Sequence, residues 1–312
     1  MLITKEFYPE GWKYDTTENK RAIFSPTTLA EAQKNRDILE APAVMCDTDH
    51  NLIVDLGCMK GIIKREEGAI GISEGVTKDI ALITKVGKPV SFIIKAIKTD
   101  RFGKLYAELS RKEAQQRFTN CFLKTKKAGD ILTARITHLE RFGAFCDIGC
   151  GVIALLPIDS ISVSRISHPN NRFCVGEDIK VIIKSIDSEN RVTLSHKELL
   201  GSWEENAAMF SEGQTVSGIV RSVESYGIFI ELLPNLAGLA EVKEGVLQGM
   251  CASVFVKSII PEKMKVKLAI IDAFKGEYTS PRKYFFDGEH IDFWQYSPAN
   301  SVKDIHTDFL RQ

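Results

Sequence analysis

The sequence predicts an all-β chain of tandem five-stranded barrels joined by short helices. Two observations carry that prediction. The first is an internal repeat: "GDILTARITHLERFGAFCDI" from Gly129 and "GQTVSGIVRSVESYGIFIEL" from Gly213 align without a gap at an offset of 84 residues. Ile136 then meets Val220, Phe142 meets Tyr226, Gly143 meets Gly227 and Phe145 meets Phe229. That period is too long for a solenoid unit and suits an array of small domains. The second is period-two alternation of Val, Ile and Phe with polar residues, bounded by Gly, Pro, Asn and Asp.

In the clearest unit the alternation marks strands at 131–139, 144–149, 152–156, 179–186 and 191–195. The last two form a hairpin, "IDSENRVTLS", with a polar tip. Five strands in about 70 residues suit a small closed barrel of the OB type. Upstream, "NLIVDLGCMKGIIKREE" and "KVGKPVSFIIKAIKTDRFGKLYAELSRKE" parallel the same strands. They define a first, degenerate unit without the aromatic-Gly-x-aromatic element.

Helices are expected between the units. Ser110 with Glu113, Ser195 with Glu198, and Ser202 with Glu205 all read as Ser-x-x-Glu capping boxes. Another capped helix is expected within 25–41. The resulting organisation is an N-terminal segment with a helix (1–39), a degenerate barrel (40–112), a basic helical linker (113–127), a barrel (128–200), a linker helix (201–211), a barrel (212–272) and an aromatic-rich extension (273–312). The extension holds Tyr278, Tyr284, Phe285, Phe286, Phe293, Trp294 and Tyr296. Its two readings are a tail packed on the third domain and a docking surface.

Composition narrows the function classes. The 312 residues are 44% hydrophobic and 26% charged, with formal net charge zero. A footprint for nucleic acid is therefore local rather than global. The basic excess sits at Arg111, Lys112, Arg117, Lys124, Lys126 and Lys127, either a solvated helix face or a guide for nucleic acid. No apolar run reaches the length of a membrane span, and the first residues do not read as a signal peptide. Seven cysteines without a C-x-x-C pair point to free thiols in a reduced, cytoplasmic setting. Cys146, Cys150, Cys174 and His168 are the alternative zinc set, but their spacing is not that of a structural site. No phosphate-binding loop, Gly-x-Ser-x-Gly or His-Glu-x-x-His occurs, so no enzyme, cofactor or metal is expected.

Gly143 is expected to allow a turn or bulge that brings Phe142 and Phe145 to one outward face. The pattern from Gly129 through "ERFGAFCDIG" to "VIIKSIDSENRVTLS" resembles the S1 RNA-binding domain, a module named after a protein of the bacterial small ribosomal subunit. "LSHKELLGSWEENAAMFSEGQTVSGIV" is similar to the joint between consecutive repeats of that protein family. The resemblance covers about 40–272 and is specific over 128–272. It implies an OB barrel that binds single-stranded RNA on a face with two aromatics, a His, an Asp and an Arg.

Residue by residue, it places the second unit's aromatics at Phe142 and Phe145, the Asp at Asp187 and the Arg at Arg191; Pro157 stands at the His position. In the third unit it places the aromatics at Tyr226 and Phe229, with Glu241 at the His position, Pro261 at the Asp and Lys265 at the Arg. The first unit has neither aromatic, and Lys64 falls near the His position. Lys180 and Lys184 alternate on one strand and are further candidates for phosphate contact. Asp187 and Arg191 also read as an ordinary hairpin-tip pair.

The resemblance implies a monomeric RNA-binding protein that holds mRNA near the small ribosomal subunit, away from membranes. The degenerate first unit is then expected to dock protein. The competing readings are a scaffold whose units have lost RNA binding, and an accessory of RNA decay or transcription.

Overall fold

The computed structural model describes residues 7–276 and 282–311. Three closed five-stranded barrels follow one another. The first is built from β1 (Leu39–Cys46), β2 (Leu52–Asp55), β3 (Lys60–Ile63), β4 (Pro89–Thr99) and β5 (Leu105–Ser110). The second uses β6 (Ile131–Glu140), β7 (Gly143–Asp147), β8 (Ile153–Pro157), β9 (Asp178–Ile186) and β10 (Val192–Ser195). The third uses β11 (Thr215–Glu224), β12 (Gly227–Leu233), β13 (Leu236–Ala240), β14 (Cys251–Ile260) and β15 (Lys265–Phe274). In each, the third strand pairs parallel with the fifth, which closes the sheet and removes its edges. The first unit is thus a complete barrel; what it lacks is confined to its face.

The helices follow their caps. Ser25 and Thr28 form a capping box on α2 (Pro26–Asn35), which follows a short α1 (Thr17–Ala22). After α3 (Ile80–Ile83), Ser110 accepts from the Glu113 amide at the start of α4 (Arg111–Cys121). Ser202 and Glu205 cap α5 (Trp203–Ala207). Ser195 differs from the expectation. Its hydroxyl donates to the Glu198 carboxylate, but the segment it opens is a 3-10 turn over Lys197–Leu200.

The chain divides into two compact units. One takes Met1–Lys126 with Thr133–Arg135 and Asp147–Ile153; the other takes Lys127–Leu132, Ile136–Cys146 and Ala154–Gln312. Inside the first unit, buried Glu10 accepts from Arg111 Nε at 2.6 Å and from Lys85 Nζ at 2.6 Å. Asp147 Oδ2 accepts from the Glu10 amide at 2.8 Å. Burial pushes the Glu10 carboxyl up, but the two cations outweigh it and hold it at about 2. Arg111 is therefore a buried structural cation and leaves the basic run expected to face solvent.

Inside the second unit, buried Glu231 of β12 accepts from Arg172 Nη1 at 2.8 Å and from Arg221 Nε at 2.8 Å. Asn235 ties the same region together by accepting from the Val163 amide and donating to the Lys197 and Gly201 carbonyls. The C-terminal extension completes this unit. Its β16 (Phe293–Gln295) and β17 (His306–Asp308) pair antiparallel. Ile291, Trp294, Tyr296 and Phe309 are buried in one cluster with Trp203 and the third barrel's core.

The extension reaches beyond the third barrel, where packing was expected. The Ile291 amide donates to the Gly129 carbonyl, the Ile131 amide to Glu289, and the Lys180 amide to the Tyr284 hydroxyl. Tyr278 lies outside the described residues. No helix among the described residues is long and apolar enough to cross a membrane. None of the seven cysteines is in a disulfide, and Cys146, Cys150 and Cys251 are buried.

Candidate nucleic-acid interface

The β6–β7 hairpin answers how two rings three residues apart serve one face. Phe142 occupies the turn, and Phe145 is the outward residue of β7 between core-facing Ala144 and Cys146. Because Phe142 is outside the strand, parity does not separate the two side chains. Their rings meet edge to face, with centroids 5.9 Å apart at 88°. Phe142 is 55% exposed.

Gly143 achieves this differently from the expectation. Its φ is not in the left-handed region; instead, a Cβ there would lie 2.4 Å from the Leu156 carbonyl oxygen and 3.1 Å from Pro157 Cα. Glycine is required by close approach of two strands rather than by the turn.

The third barrel repeats the arrangement. Tyr226 and Phe229 stand 6.1 Å apart at 86°, with Tyr226 69% exposed. Glu224 pairs with Gly227 across the two-residue turn, and β11 bulges at Arg221 between Val220 and Ser222. That bulge brings Ser222 directly opposite Phe229.

The 84-residue offset places His138 where Ser222 stands, and the structure puts an imidazole against Phe145. The His138 and Phe145 rings lie 6.3 Å apart at 27°. His138 Nε2 is 2.8 Å from Glu140 Oε1. Reasoning from the sequence sought a histidine only at Pro157, on β8. The available signal was "HLE" at 138–140 in the frame of "SVE" at 222–224.

Strand register then lays out one lateral row across each barrel. In the third it runs Ser222–Phe229–Leu239–Lys267–Ser258. Lys265, the predicted cation, and Lys267, which was missed, alternate on β15 with buried Val266 and Leu268 between and beyond them. In the second, Leu155 pairs with Thr193 and Thr193 with Ser185. In the first, the equivalent row is Met45–Ile53–Ile62–Glu108–Ala96.

The other predicted residues divide. Asp187 and Arg191 lie at the β9–β10 tip, two strands from β7 in the barrel order. Arg191 Nε donates to Asp187 at 2.7 Å and Nη1 lies 3.0 Å from Glu189. The Arg191 hydrogen bonds hold the Asp187 carboxyl below the usual carboxylate range. Asp187 Oδ1 also accepts from the Glu189 and Arg191 amides, so this pair closes the hairpin tip.

Lys184 is the extra residue of a bulge in β9, between the partners of Thr193 and Leu194. Lys180 is engaged by the extension, 5.6 Å from the Tyr284 ring centroid and 3.4 Å from Asp287. Glu241 pairs with Lys257 at 3.0 Å, Pro261 opens a 3-10 turn, and Lys64 is exposed beside the Arg65–Glu67 turn.

Three consecutive barrels of one topology, two with a ring pair at the same hairpin, resemble an array of S1 domains. Residues 125–197, which contain the second barrel, match the S1 RNA binding domain family. The chain resembles the small ribosomal subunit protein bS1 of Staphylococcus aureus, 29% identical over 222 residues that cover 69% of this chain and 54% of that protein. It also resembles the bS1 homolog of Bacillus subtilis, 27% identical over 265 residues covering 83% and 66%. A Streptococcus pneumoniae multidomain protein with nucleic acid binding domains aligns over 76% of this chain and 74% of its own at 15% identity, with a TM-score of 0.25. This chain spans about half the length of the S. aureus relatives.

Proposed function

We propose that this chain is a non-catalytic, monomeric protein that binds single-stranded RNA on the hairpin faces of its second and third barrels. The supporting observation is the repeated edge-to-face ring pair on two barrels of one chain, exposed Phe142 with half-buried Phe145 and exposed Tyr226 with half-buried Phe229. Stacking of a base on an aromatic ring contributes on the order of 1–3 kcal/mol and tolerates any sequence. Lys265 and Lys267 supply phosphate contacts on the third barrel, and Arg191 offers one at the second barrel's tip. With net charge zero, each barrel binds modestly, and tethering sums the two.

The resemblance to small-subunit proteins extends the proposal to mRNA held near the small ribosomal subunit in the cytoplasm. The first barrel, whose row carries Ile53 and Glu108 in place of the ring and the lysine, serves protein docking in this reading.

Fluorescence anisotropy with a labelled single-stranded RNA and its matched duplex tests the RNA proposal. Single-strand binding should weaken with salt and fall by about tenfold or more in the double variant Phe142→Ala, Phe145→Ala. Equal binding of duplex, or an unaffected double variant, would sink it. Co-sedimentation with small ribosomal subunits then tests the translation role.

A further inference from the structure

We infer that His138 is a nucleobase-contacting residue, held in place by Glu140, and that the second barrel therefore presents three rings to RNA where the third presents two. The inference rests on the RNA-binding reading of these faces and adds a residue to it. Pro157 has no side chain able to hydrogen-bond a base, so β8 brings no polar ring to this face. The structure brings an imidazole from the opposite neighbour of β7 instead, on β6. His138 is exposed, yet it is fixed on two sides: its ring lies nearly parallel to Phe145, and its Nε2 meets Glu140 Oε1 at 2.8 Å.

That pairing assigns the proton. A carboxylate only accepts hydrogen bonds, so in the neutral imidazole Nε2 carries the hydrogen and Nδ1 is left as an acceptor. An acceptor beside an exposed ring pair suits the amino or imino N–H of an unpaired base, a group that Watson–Crick pairing occupies in a duplex. Stability gives no competing reason for the arrangement. An exposed hydrogen bond of this kind is solvent-screened and adds little to stability, and the ring is not part of a core. His138 is a contact residue and Glu140 a positioning residue.

The third barrel supplies the control within one molecule. Ser222 occupies the position of His138, is registered opposite Phe229, and is followed two residues later by Glu224 at the position of Glu140. The carboxylate is already present there and only the imidazole is missing.

The experiment is anisotropy on the full chain with a labelled single-stranded RNA of mixed sequence, repeated over a series of salt concentrations. His138→Ala should weaken binding about tenfold while leaving the salt slope unchanged, since a base contact releases no counterions. Glu140→Ala should give a smaller loss that Glu140→Gln restores, because the amide oxygen still accepts from Nε2. Ser222→His should tighten binding about threefold or more. If His138→Ala binds within twofold of the parent while Phe142→Ala, Phe145→Ala loses binding, the inference is overturned and the RNA face stands. A His138→Ala loss that comes with a reduced salt slope also overturns it, as a phosphate contact. If neither variant changes binding, the RNA reading itself fails.

Discussion

The first and third barrels share a skeleton, two of its bulges included, and differ in what they place on the same face. Both bulge in the first strand, at Val44 and Arg221, and in the fourth, at Lys95 and Lys257. Yet where the third barrel's row carries Phe229, Leu239 and Lys267, the first carries Ile53, Ile62 and Glu108. Glu108 is also paired with Lys98 at 2.8 Å, so that cation is already engaged. The barrel is maintained by its alternating core and its closing parallel pair. The face is free to change, because outward side chains contribute little to either.

The two compact units each bury a carboxylate between two cations of their own, and the largest expected effects separate the units on that basis. The first unit sets Glu10 between Arg111 and Lys85; the second sets Glu231 between Arg172 and Arg221. Removing one member of a buried pair costs about 3–5 kcal/mol, because its partner stays buried and uncompensated. Glu10→Gln should lower protection against amide exchange in the first unit, and Glu231→Gln in the second. Loss spread evenly over both units by either variant would contradict the division.

A milder probe is pH. His196 is buried against the Ile161 carbonyl and the Tyr284 hydroxyl, and burial presses its imidazole down to about 3. A group with a depressed folded value gives stability above its ordinary value of 6.5 that is lost as pH falls. At 1.36 kcal/mol per unit, going from pH 6.5 to 5 removes about 2 kcal/mol from the second unit. The first unit runs the other way over this range. Burial raises Asp147 to about 6, with Glu10's charge adding to it, and burial raises Glu40 to about 7. Their protonation favours the folded state as pH falls, while Glu10, held at about 2, loses its contribution only below about 4.5. Pulse proteolysis in urea at pH 7 and pH 5 should show the second unit weakened and the first not, with His196→Gln flattening the response. Parallel weakening of both would refute this.

These differences mark what was legible from the chain. The barrels were, because strand alternation and an ungapped repeat need no tertiary information. The ring pairs were, because Gly143 and Gly227 keep them in one frame. Lys267 was hidden because its neighbour depends on a bulge in β14 that a period-two count does not register, and His138 because its contact with Phe145 crosses between strands. Lys180 looked free because its cover, Tyr284 and Asp287, lies over a hundred residues away in sequence. Arg111 looked like part of a basic run because its partner, Glu10, is equally remote.

The smallest effect returns to the two faces. On single-stranded RNA each phosphate contact contributes about 0.7 to the slope of log affinity against log salt. Lys265→Ala with Lys267→Ala should therefore lower the slope by about 1.4 and weaken binding several-fold at low salt. Glu108→Ala, at the position in the first barrel equivalent to Lys267, should leave the slope unchanged and affinity within about twofold, since removing a carboxylate from a face that does not meet RNA releases no counterion. An altered slope in Glu108→Ala would mean that the first barrel also meets RNA, and the contrast between the rows would then be one of strength rather than of kind.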